Sequence, residues 1–130
     1  MTRVTRRAGT RPRDLFKLQR GDVWLARPSA PVAMSSALET IDRTLAARPV
    51  VVVSPPELHD HLSTVIVVPV ARDRASAPFR PALRLDGERA VALVDQVRVI
   101  ERSRLVRRVG RLGPASLERV LAVLQQAFAA

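Results

Sequence analysis

The chain has no cysteine among its 130 residues. That excludes disulfides and thiolate metal sites and is consistent with a reducing compartment. Aromatic residues make up only 3%, too few for a binding face built mainly on base-stacking rings. No apolar run approaches the length needed to cross a bilayer. The opening Met1–Arg7 stretch lacks the hydrophobic core of a secretory signal. The expected location is therefore the cytoplasm, with no membrane contact. Lysine is also nearly missing, Lys17 being the only one.

What the chain has is arginine. Lys and Arg together number 22 against 12 Asp and Glu, a formal net charge of +10. A coding bias toward GC-rich codons accounts for arginine in place of lysine, but not for the excess of basic over acidic residues. A field of that sign attracts polyanions, so nucleic acid or a strongly acidic protein is the natural partner. At 47% hydrophobic, the chain can form one modest core in one domain.

Residues 1–19 are polar and basic with little periodicity and read as a mobile tail. Gly21–Ala26 alternates like a first strand, ended by Pro28 and Pro31. Ser36-Ala-Leu-Glu39 matches a capping box, and Leu38, Ile41 and Leu45 recur at helical spacing. A short helix inserted over Ser36–Ala47 is expected. Pro49–Ser54 and Thr64–Val70 are β-branched runs whose continuous apolarity predicts strands buried on both faces. Pro55–Leu62 between them reads as a turn or loop. Three further strands are expected over Pro81–Leu85, Ala90–Leu93 and Gln96–Ile100, and a last short one over Arg107–Leu112. Gly113-Pro114 then opens a helix. Its stripe of Leu117, Val120, Leu121, Leu124 and Phe128 must pack on the sheet or on a partner. Many short strands and one terminal helix predict a mainly β, small, partly open barrel.

Five fragments in order carry a resemblance to a known family: Arg20-Gly-Asp-Val-Trp24, Arg48-Pro-Val-Val-Val-Val-Ser54, Thr64-Val-Ile-Val-Val-Pro-Val70, Val91-Ala-Leu-Val-Asp-Gln-Val-Arg98 and Gly110-Arg-Leu112. Together they resemble the MazF/PemK toxins of bacterial toxin–antitoxin systems, over about residues 20–128. The resemblance implies an SH3-like, CcdB/PemK-type β-barrel homodimer. It also implies a toxin that cleaves single-stranded RNA without metal or other cofactor and is neutralised by an acidic antitoxin. The sequence departs from the family in three places. Ala71 stands where many members carry a catalytic Thr, and Leu93 where some plasmid-encoded relatives carry a catalytic Arg. The inserted helix replaces a short Gly-x-Glu-Gln loop.

Metal-free RNA cleavage uses the 2′-OH as nucleophile and needs groups that move protons and neutralise the phosphorane. Arg48 is the first candidate, because its planar fork spans two phosphate oxygens. Its high pKa suits charge stabilisation better than proton transfer. Asp95 is the second, as a base or as the group that orients Arg48, although it can equally hold a loop. Gln96 either reads a base edge or satisfies buried backbone. Arg72 and Arg74 follow the third strand and are candidate phosphate contacts. His59 and His61 flank Asp60. At i and i+2 on a strand they would share a face; they are expected as a polar pair on an exposed loop, with RNA contact as the alternative. A third metal ligand is lacking, so no metal site is expected. With Ala71 in place of a hydroxyl donor, weakened cleavage is expected, and a degenerate RNA- or antitoxin-binding module is the alternative. A gyrase poison of the CcdB type shares the barrel, but the terminal helix lacks that group's aromatic and glycine features.

Overall fold

The computed structural model describes residues 17–28 and 47–129. The basic tail and the inserted helix expected over Ser36–Ala47 fall almost wholly outside these residues. Seven strands run in chain order: β1 Asp22–Ala26, β2 Arg48–Val52, β3 Thr64–Ala71, β4 Ala82–Leu85, β5 Glu88–Ala92, β6 Arg98–Glu101 and β7 Leu105–Arg111. One helical turn, α1 (Pro56–His59), joins β2 to β3, and α2 (Pro114–Ala127) closes the chain. Two 3₁₀ turns, η1 (Val94–Gln96) and η2 (Arg102–Arg104), flank β6. The sheet order is β4-β5-β3-β2-β1-β7, all antiparallel, with β6 on β3. The result is the curled, mainly β half-barrel with a terminal helix that the sequence pattern predicts.

The continuous valine runs explain the architecture. Side chains on a strand alternate between faces, and in β2 both faces are interior. Val51 and Val53 enter a core shared with Val68, Val70, Leu83, Leu85 and Val120. Val50 and Val52 enter a second core with Trp24, Val65, Val67, Ile100 and Leu105. Full burial of each valine contributes roughly 1.5–3 kcal/mol.

β3 is long enough to change partners along one edge. Its first half pairs with β6 and its last two residues with β5, while β2 holds the other edge. Pro69, which has no N–H to give, sits near this switch, and its carbonyl accepts from Leu93 N at 2.8 Å. The helix packs through Leu117, Val120, Leu121, Val123 and Leu124. Phe128, expected in that stripe, is instead 75% exposed.

The opening Arg20-Gly-Asp segment is structural. Arg20 Nε donates to the Val53 carbonyl at 2.9 Å. Gly21 has φ +97, a backbone conformation strained for any side chain, and a Cβ there would sit 3.0 Å from Leu117 Cδ2, so that side chain would have to shift. Asp22 is 1% exposed and accepts from Gln19 N, Arg108 and Arg111, bracing β1 against β7. Among the described residues no helix is long and apolar enough to cross a membrane.

His59 corrects the sequence reading. It ends α1 rather than lying on an exposed loop, and it is 4% exposed. Its Nε2 is 2.7 Å from Ser54 Oγ and its Nδ1 is 3.3 Å from the Leu18 carbonyl. That carbonyl can only accept, so Nδ1 carries the proton and Nε2 accepts from the serine hydroxyl. Ser54 Oγ in turn accepts from Ile66 N. Burial holds the imidazole pKa below its ordinary value. The unfolded chain therefore takes up a proton near pH 6.5 while the folded chain resists it. Stability should fall from pH 7 to about 5.5, and His59→Gln should flatten that dependence, as urea unfolding across this range will measure.

Candidate active site

Arg48 opens β2 and is exposed. Pro49 keeps it extended, and Val50 behind it is 3% exposed, so the backbone is anchored while the guanidinium reaches out. It lines a cavity of about 190 Å³ together with Arg27, Arg98 and Arg104, over a floor that includes Val50, Val67 and Ile100. Among the described residues no carboxylate lines this cavity. Arg27 and Arg104 are tied to each other through carbonyls. Arg104 Nε and Nη2 donate to the Arg27 carbonyl at 2.8 and 2.6 Å, and Arg27 Nη2 donates to the Ser103 carbonyl at 2.6 Å. Those bonds fix geometry without neutralising charge. Desolvation first, then the Arg98 and Arg27 charges, lower the Arg104 pKa. The cup thus presents four cationic forks above an apolar base, an arrangement that stabilises an anionic, partly desolvated ligand.

Arg48 has no carboxylate partner among the described residues. Val50 pairs with Pro69, and the same register carried two residues further sets Ala71 against Arg48. Ala71, the last residue of β3, carries a methyl group there and is not among the residues that line the cup. Leu93, 5% exposed, packs inward.

Asp95 does not orient Arg48. It lies in η1, where its two oxygens accept from Arg80 Nε and Nη2, each at 2.8 Å. That hydrogen-bonded pair holds the Asp95 carboxyl below the ordinary carboxylate range, which makes it a weak base near neutral pH. Gln96 ends η1 with an exposed side chain.

Arg72 and Arg74 both lie exposed after β3. Arg72 is 3.5 Å from Glu88, and Arg74 lines a separate cavity of about 370 Å³ with Asp73, Ala75 and Arg89. His61 is exposed, whereas His59 is enclosed in the network described above and presents no imidazole edge to a ligand. The cup therefore gathers Arg48 with three arginines that the sequence did not single out. Each of these stands isolated in the chain, and only β1, β6 and η2 coming together reveals them. Arg80 was hidden for the same reason, 15 residues from its partner.

The model of the family described as PemK-like, MazF-like toxin of type II toxin–antitoxin system matches residues 19–128. The chain belongs to that family. Solved structures agree on the fold. An endoribonuclease from a mycobacterial species is 18% identical with a TM-score of 0.65, the match covering 85% of this chain and 90% of that one. A mycobacterial endoribonuclease in complex with its cognate antitoxin is 18% identical with a TM-score of 0.64, covering 85% and 93%. MazF in a MazE–MazF complex from Deinococcus radiodurans is 23% identical with a TM-score of 0.65, covering 85% and 95%.

Arg80→Ala should return the Asp95 carboxyl to titration near its ordinary value of about 3.9. Carbon-detected NMR titration of the side chain measures this, and an unchanged midpoint would show that another group depresses it.

Proposed function

We propose that this chain is a cytoplasmic endoribonuclease toxin acting on single-stranded RNA. The observation that carries the reading is Arg48, anchored by a buried strand yet unpaired among the described residues, beside Arg27, Arg98 and Arg104. Asp22 and Asp95 are paired with arginines elsewhere, and among the described residues no carboxylate lines this cup.

In this reading a phosphodiester sits across the cup. The 2′-oxygen loses its proton and bonds to phosphorus, the bond to the 5′-oxygen breaks, and that oxygen is protonated. The ends are a 2′,3′-cyclic phosphate and a 5′-OH, and DNA is inert. Arg48 stabilises charge on the phosphorane oxygens, with Arg98 as a second cation. The reaction requires no metal. Asp95 acts through Arg80 as a positioning group rather than as the base. Arg72, Arg74, His61 and Gln96 border the path of the strand as RNA contacts. Ala71 leaves the site without one preorganised donor, so cleavage is slow. That same residue favours a second reading, an RNA- or antitoxin-binding module without chemistry.

Two protein partners fit the surface. An acidic antitoxin segment would compete for the cup by charge. A second copy would cover the apolar cavity of about 570 Å³ between β6 and α2, lined by Ile66, Val97, Val99, Leu124 and Phe128. Val99 is 60% and Phe128 75% exposed, an apolar patch of the sort that marks an interface. Arg98 lines both this cavity and the cup, so the copy would flank the catalytic mouth.

Purified protein incubated with a long RNA in EDTA should yield 2′,3′-cyclic phosphate ends, and Arg48→Ala should abolish them. Ala71→Thr should raise the rate about a hundredfold by restoring a donor. Tight binding with no product from either the natural chain or Ala71→Thr would select the non-catalytic reading. Val99→Asp combined with Phe128→Asp should convert a dimer to a monomer in light scattering.

A further inference from the structure

The connection from β3 to β4 holds Phe79 at φ +64, a left-handed conformation that a bulky side chain adopts only at a cost in free energy. The surrounding turn is tightly closed. Ala77 N donates to the Arg80 carbonyl at 3.1 Å and Arg80 N donates to the Ala77 carbonyl at 2.8 Å. Pro78 and Phe79 occupy the central positions, and the second of these is where such a turn favours glycine. The turn is also pinned from outside. The Phe79 carbonyl accepts from Val94 N at 3.1 Å, and the Arg80 side chain grips Asp95 through both forks. A glycine would satisfy all of these backbone bonds without strain. The phenyl ring is nonetheless there, 43% exposed, in a chain with three Phe and one Trp. That Trp is buried.

The turn also lies within reach of the cup. Val50 pairs with Pro69, whose carbonyl binds Leu93 N, and the next residue, Val94, binds Phe79. Three strand spacings, on the order of 15 Å in all, separate β2 from the turn. A short stretch of extended single strand covers that span.

We propose that Phe79 is a stacking platform for an unpaired RNA base flanking the phosphodiester held at Arg48. The inference rests on the RNA reading above and adds a contact that the cationic cup lacks, one to the face of a base rather than to phosphate. Strain at an exposed aromatic residue points to use of the ring. The Arg80–Asp95 clamp keeps the ring in place before RNA arrives, which lowers the ordering cost of binding. Stacking is tolerant of sequence because every base has a π face.

The full chain, Phe79→Gly, Phe79→Trp and Arg48→Ala are compared for affinity to a 2′-O-methyl RNA pool of mixed sequence, which cannot be cleaved, across a salt series. Thermal unfolding is recorded for each. Phe79→Gly should unfold at a higher temperature, because the strain is relieved, yet bind about tenfold or more weakly. Its dependence on salt should be unchanged, since the ring carries no charge. Arg48→Ala should reduce the slope of log affinity against log salt by about 0.7. Phe79→Trp should retain affinity. Undiminished binding by Phe79→Gly overturns the proposal alone. So does weakened binding that accompanies a lower unfolding temperature, or that Phe79→Trp fails to restore, because the ring is then a packing group. Loss of affinity only for an acidic antitoxin would assign the ring to a protein contact. No binding by the unmutated chain removes the RNA reading itself.

Discussion

The structure depends on one ladder, β2 against β3, whose valines are interior on both sides. A strand with one wet face needs only one core. This ladder separates two, one under α2 and one inside the curl of β1, β6 and β7. Nothing along it tolerates a polar group, so chemistry can begin only where the ladder ends. Arg48 is the first residue of β2 and Ala71 the last of β3, and the open end of the inner core is the arginine-lined cup.

Charge is distributed by the same logic. Asp22 and Asp95, each paired with arginine, hold β1 to β7 and pin the turn before β4. Arginine outnumbers them, and the surplus is not spread evenly. Arg27 and Arg104 are bound to backbone carbonyls, which sets their direction and leaves their charge to act outward. Mutual repulsion among four such groups opposes folding by a small amount and is relieved when an anion enters.

Membership of the MazF-like toxins is carried by the match over residues 19–128, and the solved structures add the fold at 18–23% identity. Ala71 ends the ladder with a methyl group and Leu93 packs inward, while arginines line the cup.

Order and type of the elements were legible in the sequence because periodicity and turn chemistry are local. The β-branched runs, Asp86-Gly87 and Gly113-Pro114 each act within a few residues. Arg48 was legible too, because its strand is continuous with it. The partners of the side chains were not. Asp95 reads like an acid beside the site until the fold brings Arg80 to it. His59 reads like an exposed histidine until Leu18 and Ser54 close around it. The other three arginines of the cup come from segments far apart in the chain. The sequence by itself determined which segments are strands, where the helix begins and the strongly basic balance of the chain, since hydrophobic period and net charge are sums over neighbouring or all residues. Only the tertiary structure decided which charges are spent in pairs and which are left at the mouth, because a few ångströms between residues distant in the chain settle that, and no local pattern encodes such a distance.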